Sequence, residues 1–158
     1  MYSTKKINLK LLIFSIALPL LVGGVSSLLT SKHMDIYKDI ILPPLAPPSV
    51  LFPIVWSILY IFMGVSYYRV YNSKGNNLIA LNLYTLQLFF NFCWSLIFFN
   101  ARWFLTSFIW LVILWILILV MIYEFKRLDK ISAILQIPYL VWVTFAGYLN
   151  FGIYLLNK

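Results

Sequence analysis

Acidic residues are scarce in this chain: four Asp and Glu stand against twelve Lys and Arg among 158 residues, beside one His and one Cys. The few charges cluster in short segments. Between them lie five runs with no charged side chain, Leu11–Thr30, Leu51–Tyr68, Leu78–Ala101, Trp103–Tyr123 and Ile131–Asn157. These absences exclude several kinds of chemistry. With no Asp, Glu, Lys, Arg or His inside a run, there is no intramembrane proton relay, ion site or Schiff-base lysine. His33 falls in a loop and reads as a solvated residue, so no Cys/His cluster is available for a metal and no histidine for a haem ligated within the membrane. Cys93 lies in the middle of a run and implies no disulfide framework. Neither an activated nucleophile with its base nor a phosphate-binding glycine loop is visible. No metal and no obligatory cofactor are expected.

What the chain does have is apolar length. Hydrophobic residues make up 63% and charged residues 10%, whereas soluble domains carry about 25% charged residues. A hydrocarbon core about 30 Å thick needs roughly 20 apolar residues in a helix. Inside it no water satisfies the backbone, so each run must bond to itself. The expectation is an all-α integral membrane bundle of five transmembrane helices, a single domain over 1–158. Helices are expected at about 9–30, 51–72, 78–101, 103–124 and 131–157. The basic start of the first run also suits a signal peptide. Its apolar length exceeds a normal signal core and no small-x-small cleavage pattern closes it, so it reads as a retained helix.

Net charge +8 reads as topology rather than nucleic-acid affinity, because Lys and Arg concentrate on the cytoplasmic face. With five spans, one face carries Lys5, Lys6, Lys10, Arg69, Lys74, Lys126, Arg127 and Lys130. The other carries Lys32, Lys38, Arg102 and Lys158. The imbalance predicts a cytoplasmic N-terminus. A short chain with a basic start and no targeting extension suits a bacterial plasma membrane.

The connections are unequal. Asn100–Arg102 joins the third and fourth helices as a tight hairpin, Asn72–Asn77 is a polar turn, and Glu124–Lys130 is a short charged loop. The first connection, 31–50, is long and holds Pro43, Pro44, Pro47 and Pro48. Proline fixes φ and removes a donor, which predicts a stiff, extended or turned strap. Such a loop is either a lid or a plain connector. Pro19 and Pro138 are expected to kink their helices, and Gly23 with Ser27 forms a small-residue pair that permits close helix approach.

Polar and aromatic residues mark the interior faces. On the third helix Tyr84, Gln87, Asn91, Trp94, Ser95 and Phe98 recur at spacings of three and four, on one face. On the second, Phe52, Trp56, Tyr60 and Tyr67 follow that spacing. On the fifth, Tyr139, Trp142, Phe145, Ala146 and Leu149 do so. The amides serve either as interhelical bonds or as polar groups of a pocket, and the rings either fill a core or wall a site for a flat ligand. Trp103 and Tyr123 suit interfacial belts.

Three ordered motifs then resemble one family. They are Pro47-Pro48-x-x-x-Phe52-Pro53-x-Val55-Trp56-x-x-Leu59-Tyr60-x-x-x-Gly64, then Gln87-Leu88-x-x-Asn91-x-x-Trp94-Ser95-x-x-Phe98-Phe99, and Pro138-Tyr139-Leu140-x-Trp142-x-x-Phe145-Ala146-x-x-Leu149-Asn150. Together they resemble the TspO/MBR family of tryptophan-rich sensory and translocator proteins, with the same helix count. The resemblance implies a five-helix bundle, often a homodimer, whose pocket is closed by the first loop. Ligands implied are protoporphyrin IX, haem and related tetrapyrroles, and drug-like isoquinoline carboxamides. It also implies a pocket at Trp56, Asn91, Trp94, Trp142, Phe145, Ala146 and Leu149, and the stripes that hold these residues add Tyr60, Gln87, Phe98 and Tyr139 to the expected ligand site. The lid would be Pro43, Pro44, Leu45, Pro47 and Pro48. In the loop the chain departs from the family pattern, with Leu45 where a tryptophan is usual. Phe151 and Leu155 replace the end of the animal sterol motif, so sterol binding is not expected.

The function expected on this basis is a membrane receptor, sensor or carrier for porphyrin-type ligands. Two alternatives are a light-dependent porphyrin-degrading enzyme using Trp56 and Trp142, and a passive porphyrin transporter.

Overall fold

The computed structural model describes residues 7–33 and 35–158. Lys5 and Lys6, counted in the charge asymmetry, lie outside the described residues. Five long helices succeed one another: Leu9–Thr30, Leu51–Tyr71, Leu78–Ser95, Phe104–Leu128 and Lys130–Leu156. The third is prolonged by a π-helical turn, Leu96–Asn100, where the Ala101 N–H donates to the Leu96 carbonyl at 3.1 Å. All five are long and apolar enough to cross a membrane. Among the described residues there is no strand. The chain is an all-α, multi-pass membrane protein, and the bilayer is its solvent.

The fourth connection differs from expectation. Glu124–Leu128 is helical, and only Asp129 separates the fourth helix from the fifth. Charge in the last turn does not end a helix when one residue can close it and open the next. Asp129 does both. Its N–H donates to the Phe125 carbonyl at 2.7 Å, and its carboxylate accepts from the Ser132 N–H at 2.8 Å, capping the fifth helix. The Ser132 hydroxyl donates to the same carboxylate at 2.6 Å, and Arg69 grips it with two bonds of 2.8 Å. The strap also differs in part. It opens with the turn Ser31–His33 and the helix Ile36–Asp39, and extended chain begins only after them. Both Pro19 and Pro138 sit inside helices that continue through them.

Fourth and fifth helices form the most extensive pair, followed by first with second, third with fourth, and second with fifth. Met63, Leu114, Ile118, Met121, Phe125, Val143 and Ile153 fill the centre. First and second helices cross most closely at Gly64, where a Cβ would strike the Ile16 Cα and the Ser15 carbonyl. The small pair Gly23 and Ser27 does not make that crossing. A Cβ at Gly23 would meet the Tyr60 ring, and one at Gly24 would meet nothing. Tryptophan N–H groups add ties inside the bundle: Trp110 donates to the Phe90 carbonyl and Trp115 to the Thr144 hydroxyl, each at 2.8 Å.

Two outcomes are expected. Gly64→Ala forces backbone against backbone and costs about 2 kcal/mol of stability, whereas Gly24→Ala costs less than about 0.5; thermal unfolding in detergent compares them. The Arg69 guanidinium beside Asp129, helped by Ser132, holds that carboxyl down at about 2. A depressed carboxyl stabilises the fold above the ordinary carboxylate range, and that contribution fades as pH falls from about 4 toward 2. Asp129→Asn is expected to melt earlier at pH 7 and to lose the part of the acid dependence between pH 4 and 2, checked by melting curves across that window.

Candidate functional site: a cavity among the first three helices

A cavity of about 310 Å³ lies among the first, second and third helices. Its wall is built from the sequence in a simple way. Small residues recur along one side of the first helix, Gly23, Gly24, Ser26, Ser27 and Thr30, leaving room where larger side chains would close the space. Aromatic residues one turn apart on the second helix, Phe52, Trp56 and Tyr60, face that room, and Trp94 and Phe99 of the third helix complete it. Trp56 stacks on Tyr60 with ring centres 5.5 Å apart and an interplanar angle of 30°. From the strap's short helix, Tyr37 reaches over Phe52 at 5.5 Å and also lines the cavity. Burial pushes the Tyr37 phenol up to about 12, so it stays neutral and can donate. No lining residue carries a charge. Such a site can stack a flat apolar molecule and offer it hydroxyl and indole hydrogen bonds, and holds no acid–base pair.

Of the predicted ligand-site residues, Trp56, Tyr60 and Trp94 line this cavity. Gln87, Asn91 and Tyr139 instead bond to one another. The Asn91 Nδ2 donates to the Tyr139 hydroxyl at 3.1 Å, which donates to the Gln87 Oε1 at 2.9 Å. All three are buried, and they tie the third helix to the fifth. Trp94 is held the same way: its Nε1 donates to the Asn150 Oδ1 at 3.1 Å, and the Asn150 Nδ2 to the Phe104 carbonyl at 2.8 Å. Phe98, Ala146 and Leu149 surround a space of only about 10 Å³. The aromatic residues of the fifth helix stand behind the cavity wall. Tyr139 meets Trp56 edge-on at 6.0 Å, and Trp142 meets Phe52 edge-on at 5.8 Å. Phe145 packs on Trp142 at 5.7 Å. The Trp142 Nε1 is buried and has no protein partner.

The lid residues lie elsewhere than over the cavity. Pro43 rests on Gly152, and the Tyr148 hydroxyl donates to the Pro44 carbonyl at 2.8 Å, both on the fifth helix. Asn157 bonds the N–H and the carbonyl of Ile41 at 2.8 and 2.9 Å. Pro43, Pro44, Leu45, Pro47 and Pro48 are absent from the cavity lining, where the strap is represented by Tyr37. The missed contributors are therefore Tyr37 and the first helix. Their signal was present: Leu20, Gly23, Ser27 and Thr30 recur at helical spacing, a stripe of low volume that reads equally as a packing seam.

A family model and three relatives match this chain in sequence. The model described as the TspO/MBR family matches residues 15–156. The tryptophan-rich protein TspO of Chlorobaculum tepidum is 39% identical over 146 residues, covering 90% of this chain and 92% of the relative. Protein CrtK of Rhodobacter capsulatus is 36% identical over 124 residues, 77% of this chain and 78% of its own. The tryptophan-rich protein TspO of Archaeoglobus fulgidus is 35% identical over 155 residues, 95% and 99% of the two chains. A membrane bundle of five spans, aromatic at its centre and matched almost end to end, this chain belongs to the TspO/MBR family.

Proposed function

We propose that the protein is a membrane receptor, sensor or carrier for flat hydrophobic ligands of the porphyrin or haem type. The observation that carries the reading is the uncharged aromatic cavity, in which Trp56, Tyr60 and Trp94 face the small residues of the first helix. A planar macrocycle would stack against Trp56 and Tyr60, with Phe52 and Trp142 forming a ring-lined back wall. Entry between helices suits a ligand already dissolved in the bilayer. Propionate groups would project toward the strap end, where Lys32 stands two residues beyond Thr30 of the lining; Lys38 is engaged with Asp35 at 2.7 Å. Isoquinoline carboxamides meet the same flat, apolar description. A homodimer in a bacterial plasma membrane, with Arg69 and Lys74 on the cytoplasmic side, completes the reading.

Gly24 gives a test, since it lines the cavity and a Cβ there meets no atom within 4 Å. Purified protein is titrated with protoporphyrin IX in the dark, following tryptophan quenching and the Soret band. Saturable binding is expected, weakened at least about tenfold by Gly24→Phe with the melting temperature unchanged. Absence of saturable binding, or equal affinity in Gly24→Phe, overturns the reading. A new absorbing product on illumination, lost in Trp56→Phe, would favour the photochemical enzyme instead.

A further inference from the structure

The turn at Pro43–Ala46 carries an unusual residue. The Ala46 N–H donates to the Pro43 carbonyl at 3.2 Å, and Leu45 at the apex has φ 66°, left-handed backbone that favours glycine. The residue is 82% exposed, so packing within the protein does little to compensate that conformation.

Where the turn sits explains what can. Asn157 holds Ile41, Gly152 lies under Pro43, and Tyr148 bonds the Pro44 carbonyl. Going from Asn157 to Tyr148 the strap descends alongside the fifth helix by nine residues, roughly 13 Å at 1.5 Å each. That helix, Lys130–Leu156, has 27 residues and is roughly 40 Å long, against a hydrocarbon core of about 30 Å. A centred helix places the boundary between headgroups and acyl chains about 5 Å from its end, near Ile153, so Pro43 on Gly152 stands at that boundary and Tyr148 about 7 Å below it. Tyr148 also belongs to the exposed stripe Ile134, Ile137, Val141, Tyr148, Phe151 and Leu155, spaced at helical intervals, which faces lipid. The backbone chemistry of the turn suits such a place in part. Four prolines remove four N–H donors, and the carbonyls of Ile41, Pro43 and Pro44 are all bonded within the protein.

We propose that this turn is a membrane foot: Leu45 inserts between acyl chains of the leaflet beside the fifth helix, and the bilayer is its binding partner. The foot fixes the far end of the strap whose near end presents Tyr37 to the cavity. The proposal stands on the strap alone and does not depend on what the cavity binds.

The test uses the full chain in phosphatidylcholine nanodiscs, with Cys93→Ala as background and single spin-labelled cysteines at Leu45, Val141 and Lys38. Collision with oxygen, which concentrates in hydrocarbon, is compared with collision with a water-soluble nickel chelate. The oxygen-to-nickel ratio at Leu45 is expected to approach that at Val141 and to exceed that at Lys38 at least threefold. A ratio equal to that at Lys38 overturns the proposal and leaves the turn facing solvent. An unlabelled check is Leu45→Gly, which relieves the left-handed backbone. A higher melting temperature in nanodiscs would show that the leucine contributes nothing beyond strain and would overturn the proposal; no rise, or a fall, supports it.

Discussion

The absence of water inside the bilayer governs this molecule. A polar group left unpaired in that medium is costly, and a small number of pairings fix how the helices stand. The Gln87–Tyr139–Asn91 chain and the Trp94–Asn150–Phe104 chain bind the third helix to the fifth and the fifth to the fourth. At the opposite end of the bundle, Asp129 ends one helix, caps the next and accepts both bonds from Arg69 on the second. Ser66 reinforces that junction by donating to the Ser132 carbonyl at 2.7 Å. With the last three helices tied together, the first helix forms the facing wall of the cavity.

That division gives the cavity its place. The first helix meets the second intimately at Gly64 and lays Gly23 against the Tyr60 ring, then presents glycine and serine instead of larger side chains, so a gap opens toward Trp56 and Trp94. The polar residues that look most suited to touching a ligand are largely spent on holding helices. Rings and small residues are left to make the site. On the proposed function, recognition would be by shape and stacking, with the hydroxyls of Ser27, Ser57 and Tyr60 as the polar complement.

Much of this was legible from the residues. Charge-free runs located all five spans, because the cost of burying a charge in lipid leaves an unmistakable gap. Of the stripe Tyr84, Gln87, Asn91, Trp94, Ser95 and Phe98 on the third helix, all are buried except Ser95, which is half-buried. Less visible was which of its members bond to each other, since that depends on the fifth helix arriving at the matching height. The end of the fourth helix was hidden for another reason: Glu124, Lys126 and Arg127 look like a loop until Asp129 is seen to cap the fifth helix directly behind them. Prolines in the strap left a lid and a plain connector equally open, because which helix they would rest on, here the fifth through Pro43 and Pro44, is not written in their spacing. The π-helical turn at Leu96–Asn100 has no glycine or proline to announce it.

The measurement that bears most directly on this division of labour is the stability and the porphyrin affinity of Tyr139→Phe, taken together. The substitution keeps the ring against Trp56 and deletes only the hydroxyl that joins Asn91 to Gln87. The expected result is a loss of about 1–2 kcal/mol in stability with the dissociation constant for protoporphyrin IX changed less than about twofold. Unchanged stability with a tenfold weaker complex would contradict it, and would make the buried polar chain part of the ligand site.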